Sequence, residues 1–324
     1  MTPQDEKNTR KALPSGQSVA ITKVRSPQPG AVDDGMAHFC IQFKTIVPEA
    51  RIKSDSHSSF APPAMIVGRH ANIAYQAIPE GKILELFLDA LGQSATISRD
   101  PIESGLEVRM TQIRLPVVLK AYIAAQCPHC PITLRKLQTL AGASDKIRLS
   151  VIDAALFHKA ARVDGVRSVP TVILDDQFRR SGQIDLSELL TISIERDPAL
   201  LSPTSLRQLI EEGAAETVAR MMIDSGQIFA ALIELLAHER WSVRLGAMVT
   251  VEYLAASAPD LVTDLVAPLW QRMAAASPQA QGDMVHVLGQ IPSQASRRHL
   301  RSIAEGDFTR EVAAAAAETL NQWH

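Results

Sequence analysis

Apolar residues along this chain recur either at alternate positions or at helical spacing, and the switch between the two marks its elements. Ser18–Val24 reads as a strand, and Arg51–Ser54 as a short one. Between them, Asp33–Thr45 carries Met36, Phe39, Cys40 and Phe43 on one helical face. Ala64–Val67 and Ile73–Gln76 read as strands joined at Gly68–Asn72, and Glu80–Leu91 as a helix burying Ile83, Leu84, Phe87, Leu88 and Leu91. The order is β-α-β-β-β-α. It returns with one helix added: strand Val117–Ala124, helix Pro128–Leu140, strand Ile147–Ile152, added helix Ala154–Val163, paired strands Thr171–Leu174 and Phe178–Arg180, and closing helix Leu186–Ser193. Two near-copies of one layout imply two similar α/β subdomains.

After Asp197 the pattern is helical only. Between Pro203 and His324, Ala, Leu and Val recur at helical spacing, broken at Gly213, Gly226, Pro259, Pro278, Pro292 and Gly306. This predicts about three helix pairs after an opening pair. Trp241–Leu245, Ser277–Gly282 and Phe308–Val312 each open a repeat-like helix, and they lie 36 and then 31 residues apart. That interval is within the range of helical solenoids.

With 324 residues, two or three domains are expected. The predicted division is a disordered tail 1–16, α/β folds at 17–92 and 116–197, a connector 93–115, and helical repeats at 203–324. Aromatics are only 4%, so the cores rest on aliphatic residues. A formal charge of −2 gives no electrostatic case for nucleic acid or an anionic membrane. No run approaches the ~18 apolar residues of a spanning helix. Met1–Gly30 lacks the apolar stretch of a secretory signal, so a cytoplasmic location is expected.

That compartment changes the reading of Cys127-Pro128-His129-Cys130, which holds two of the three cysteines in the chain. Where thiols are kept reduced, such a pair is catalytic or metal-binding rather than a structural disulfide. It falls where a strand turns into a helix. The unpaired N–H groups there favour a thiolate at Cys127, and His129 can add a charge or a hydrogen bond. Cys130, one turn on, is expected to be buried and able to close a disulfide on Cys127. With Cys127 as N-cap, Pro131 would be the fourth helical residue and forfeit a hydrogen bond. Zinc would need two more ligands, and only Cys40 and isolated histidines (His57, His158) remain, so no metal is expected. The inert-pair reading also ranks below redox exchange. In Ser168-Val169-Pro170-Thr171, proline leads into an apolar strand. It belongs at the strand start, and with the Cys pair upstream a cis bond is expected.

Strand, Cys-Pro-His-Cys, helix and Val-Arg-Ser-Val-Pro-Thr together resemble the thioredoxin fold over Pro116–Ser193. The Pro-His dipeptide is similar to that of the periplasmic disulfide-introducing oxidases. Gln17–Asp197 as a whole resembles tandem thioredoxin folds, three-layer α/β/α. Such folds form the N-terminal domain of the alkyl hydroperoxide reductase flavoprotein subunit and the glutaredoxin-like protein disulfide oxidoreductases. Ser26-Pro27-Gln28-Pro29 stands in the equivalent loop of the first fold without a cysteine, and Pro62-Pro63 resembles a leftover cis-proline loop. The helices after residue 203 resemble HEAT repeats, most clearly in Trp241–Ala255 and Phe308–Leu320. The resemblance implies Cys127 as attacking thiol, Cys130 as resolving thiol, and Val169 and Pro170 as the substrate-docking loop. Two departures stand out. No Gly-rich dinucleotide fingerprint follows residue 197. Lys120 occupies a position where tandem relatives tend to have Glu; pointing toward the site it would stabilise thiolate, while the solvent-facing orientation is the slightly favoured expectation.

Cys40 is expected to be a buried structural thiol, His57 and His70 solvated, His286 a packing or surface residue, and Arg297–Arg301 a solvated helix face. The leading function is a thiol–disulfide oxidoreductase exchanging electrons with a protein substrate, its helical module docking a partner. It needs no cofactor beyond its own dithiol, with an external flavin-dependent reductase or glutathione as electron partner. The alternatives are a non-catalytic redox-sensing adaptor and a redox chaperone. The motif and the compartment pull the direction of exchange opposite ways.

Overall fold

A computed structural model of the protein describes residues 1–13, 18–56, 58–92 and 104–323. They form two compact units, Met1–Glu195 and Arg196–His324. In chain order the first unit contains α1 (Pro3–Ala12), β1 (Ala20–Val24), α2 (Ala31–Ile46), β2 (Arg51–Asp55), β3 (Ala64–Val67), β4 (Ile73–Gln76), α3 (Gly81–Gly92), α4 (Ser104–Met110), β5 (Val117–Ile123), α5 (Cys130–Ala143), β6 (Ile147–Asp153), α6 (His158–Val163), β7 (Thr171–Leu174), β8 (Phe178–Ser181) and α7 (Leu186–Glu195).

The strands make one eight-stranded sheet, ordered β2-β1-β3-β4-β6-β5-β7-β8. Its halves repeat each other. In each, a parallel pair (β1 with β2, β5 with β6) is followed by two antiparallel neighbours. The halves join where β4 runs parallel to β6, from Ile73 opposite Leu149 to Gln76 opposite Ile152. One apolar core spans the seam, with Phe39, Phe43, Tyr75 and Phe87 from the first half and Leu134, Leu137 and Val151 from the second. Buried polar groups pin it further. The Asn72 amide nitrogen faces the carbonyls of Ala141 (2.7 Å), Ser144 (3.0 Å) and Ile147 (2.7 Å). Gln138 on α5 donates to the Tyr75 hydroxyl and the Leu86 carbonyl.

Several expectations need correction. Residues 3–12 of the expected disordered tail are helix α1, packed on α2 and α3. Thr2 and Asp5 form a reciprocal capping box, Pro3 starts the helix, and Thr9 and Leu13 are buried. A few inward residues suffice because a pre-formed apolar surface receives them. Residues 14–16 lie outside the described residues. The expected connector 93–115 includes helix α4, whose Leu106 and Met110 are buried together with Ile113 beyond it, while 93–103 lies outside the described residues. Residues 154–157 form turns rather than the start of α6, because the Asp153 carboxylate accepts the Ala155 and Leu156 N–H groups.

The second unit contains α8 (Pro203–Glu211), α9 (Ala215–Ser225), α10 (Ala230–Leu236), α11 (Trp241–Ser257), α12 (Pro259–Val262), α13 (Val266–Met273), α14 (Pro278–Gly289), α15 (Gln294–Glu305) and α16 (Arg310–Gln322). Its punctuation is local. Ser202, Ser277, Ser293 and Thr309 cap helices with their side-chain oxygens, and Pro203 and Pro278 occupy first turns. α9, α11, α14 and α16 pack in succession as one layer, with α8 against α10 and α13 against α15 in a second. Buried Arg244 on α11 ties that helix to α14 by reaching Asp283 (2.6 Å), and it also donates to the His238 and Glu239 carbonyls. Among the described residues no helix is long and apolar enough to cross a membrane.

Candidate thiol site

β5 sorts its side chains by alternation. Leu119, Ala121 and Ile123 enter the core shared with α5, while Tyr122 lies in a separate cluster on the other face with Ile152, Ala161 and Ile173. Past Ile123 the chain turns, with the Cys127 N–H bonded to the Ala124 carbonyl (3.1 Å), and α5 begins only at Cys130 with His129 as its N-cap. Pro131 therefore sits in the first turn rather than fourth in the helix. Its missing N–H would have had no helical partner, so no hydrogen bond is forfeited.

The two sulfurs differ in surroundings. Cys127 is half-buried, and its Sγ accepts the Cys130 N–H (3.1 Å) as a capping side chain would. Cys130 is fully buried. Burial pushes its thiol up to about 12, and the neighbouring Cys127 sulfur and Asp153 charge act the same way against a lowering backbone contact from Ala124. Cys130 thus holds its proton while Cys127 is the accessible sulfur. Pro128 and His129 are exposed, and the His129 ring has no hydrogen-bond partner among the described residues.

The second element comes from β7. The Val169–Pro170 peptide is cis, and the Val169 carbonyl lies 3.7 Å from Cys127 Sγ. The loop is held at both ends. Gly165 (φ 61°) closes α6, with its own N–H on Arg162 and the Val166 N–H on Ala161, a left-handed helix end suited to glycine. Thr171 donates to the Ser168 carbonyl (2.7 Å), and Gly182 donates to the Pro170 carbonyl (2.8 Å). Beside this loop an open groove of about 560 Å³ runs along Gly165–Val169.

Lys120 is not free in solvent. It is half-buried on the face opposite Cys130, bonded to Asp164 (3.1 Å) and Asp176 (2.6 Å), and Asp164 also accepts the Tyr122 hydroxyl (2.7 Å). Burial alone would depress its ammonium, but the two carboxylates outweigh this and hold it above its ordinary value. Asp176 reaches it from a tight turn in which Asp175 and Asp176 both have positive φ. Neither aspartate is marked by sequence spacing, because both reach Lys120 through tertiary contact.

The first half carries a similar scaffold without a thiol pair. Pro62–Pro63 is cis before β3, as Val169–Pro170 is before β7. In the loop before α2 the Asp33 carboxylate accepts the Ser26 (3.0 Å) and Gly30 (3.3 Å) N–H groups. Cys40 is buried beside Met65 and pushed up to about 11 by desolvation. His57 lies outside the described residues. Among the described residues no cluster of three His, Cys, Asp or Glu side chains is placed to hold a metal. The Arg297–Arg301 face is only partly solvated, since Leu300 is buried, His299 stacks on Trp270 (4.3 Å) and Arg297 lies over Trp323.

Residues 118–193, from β5 into α7, match the thioredoxin domain family Thioredoxin_3. Among solved structures, the alkylhydroperoxide reductase AhpF from Enterococcus faecalis is similar at 16% identity and TM-score 0.48, over 58% of this chain and 95% of that one. A protein disulfide oxidoreductase from Aeropyrum pernix is similar at 13% identity and TM-score 0.49, over 62% and 95%. No curated protein sequence matches the chain.

Proposed function

We propose that this protein is a thiol–disulfide oxidoreductase acting on protein thiols through Cys127 and Cys130. One observation carries the reading: a half-exposed Cys127 sulfur, accepting a helix-start N–H, lies beside the carbonyl that precedes a cis-proline, with a buried thiol one turn behind. As a reductase, the Cys127 thiolate attacks one sulfur of a client disulfide, forms a mixed disulfide and releases the other as thiolate. Cys130 then loses its proton and attacks Cys127 Sγ, closing the Cys127–Cys130 disulfide and releasing the second client thiol. Two electrons pass to the client. The reverse sequence oxidises it, and the relative potentials of the pairs set the direction.

Val169 and Pro170 take the role of docking loop. His129 and Pro128 set the character of the dipeptide between the sulfurs. The dithiol is the only redox group required. A thiol or dithiol system, such as a flavin-dependent reductase or glutathione, recharges it. The HEAT-like array docks a protein partner, and the exposed Trp241, Leu245 and Tyr253 on α11 support that role. The cytoplasm is the compartment in which this reduced pair would work.

The test is insulin reduction and glutathione exchange with Cys127→Ser and Cys130→Ser. Cys127→Ser abolishes turnover. Cys130→Ser retains the first attack and accumulates a mixed disulfide visible by mass spectrometry. Turnover that survives Cys127→Ser would reject the enzyme and leave the redox-sensing adaptor as the better reading.

A further inference from the structure

The groove beside Cys127 has a charge that the chain as a whole does not. Its floor is apolar, with Val166 and Val169 packed on the Tyr122 cluster. Its rim carries Arg162 and Arg167, both exposed. Arg179 reaches the same wall, its guanidinium 3.5 Å from the Gly165 carbonyl. None of the three has a carboxylate partner among the described residues. The adjacent carboxylates are already engaged: Asp164 by Lys120 and Tyr122, Asp176 by Lys120, Asp153 by backbone N–H groups. Counted with Lys120, the three arginines outnumber the adjacent carboxylates Asp153, Asp164 and Asp176, so a net positive charge collects at one place on a chain of formal charge −2. The groove also leads to the sulfur, because Val169 both lines it and places its carbonyl 3.7 Å from Cys127 Sγ.

We infer that this groove selects clients by charge, receiving an extended acidic segment of a protein that bears the reacting cysteine. The inference rests on the oxidoreductase reading above. Arg162 and Arg167 meet Asp or Glu side chains flanking the client cysteine, and an aliphatic client residue covers Val166. The groove holds about 560 Å³, more than a small thiol fills. A segment several residues long is therefore favoured over a tripeptide. Charge of this kind acts mainly on encounter rate and is screened by salt.

The test uses the full reduced protein and three peptides, each a disulfide-linked dimer. They share one cysteine and one leucine and differ only in flanking Glu, Gln or Lys. Rates are normalised to hydroxyethyl disulfide, a small neutral substrate. The expected order is Glu above Gln above Lys, with Glu leading Lys by about tenfold at low salt and under about threefold at 0.5 M NaCl. The double reversal Arg162→Glu with Arg167→Glu inverts the order. Equal rates for the three peptides, or an order unchanged by the reversal, overturn the inference while exchange with hydroxyethyl disulfide leaves the oxidoreductase reading standing. If hydroxyethyl disulfide is not exchanged either, both fall. If oxidised glutathione outpaces the Glu peptide and alone responds to the reversal, the groove serves a small anionic thiol and the client segment is refuted.

Discussion

At the scale of single residues, the proposed chemistry rests on unequal burial of two identical side chains. Cys127 and Cys130 are three positions apart, yet the helix start leaves one sulfur half-exposed and encloses the other. The enclosed thiols also link stability to pH. Unfolded cysteines lose their protons at about 8.5, whereas folded Cys40 and Cys130 keep theirs up to about 11 and about 12. The folded state then binds more protons than the unfolded one, so stability present below about 8.5 falls as pH rises through this window. The urea midpoint of the reduced protein should fall from pH 8.5 to 10.5, and Cys40→Ala should make the decline shallower. A different single residue decides the loop geometry. Gly165→Ala forces a side chain into φ 61°, and a loss of about 1 kcal/mol with slower peptide exchange is expected from urea unfolding and rate measurements.

Between elements, stability is concentrated where polar groups are shared. Asn72 has two amide hydrogens for three converging carbonyls, all from the α5–β6 connection and its ends in the other half of the sheet. Asn72→Ala takes the amide donor from these carbonyls, leaving Ser144 only the long bond from the Ile147 N–H (3.4 Å), and should cost about 2 kcal/mol in urea unfolding. Arg244→Met strands Asp283 and two carbonyls and should cost about 3 kcal/mol by the same measurement, with the loss confined to the helical unit. Lys120→Met removes two partly exposed ion pairs, to Asp164 and Asp176, so about 1 kcal/mol is expected. Because Lys120 lies on the face opposite Cys130, its removal should leave exchange with a small disulfide unchanged.

For the whole molecule, the chain folds as two compact units, with the thiol pair in Met1–Glu195 and the helical array in Arg196–His324. Much of this was legible in advance. The strands at Ala64, Ile73 and Thr171 start where alternation and punctuation place them, because short apolar runs between turn residues admit few alternatives. The Cys pair and the proline loop were legible because each residue type carries a local constraint: a thiol at a helix start, and a proline with no N–H at a strand start. Other features depend on residues distant in sequence. Helix α1 is polar and forms because α2 and α3 offer it a surface. The Lys120–Asp164–Asp176 cluster spans two loops. The arginine-rimmed groove gathers residues from α6, the proline loop and β8, and its charge follows from which charged groups the fold brings together. Local patterns of spacing and burial were thus determined by the sequence itself, since they depend on neighbours a few residues away. Partners across the sheet, and the charges gathered around one groove, were decided only by the tertiary structure.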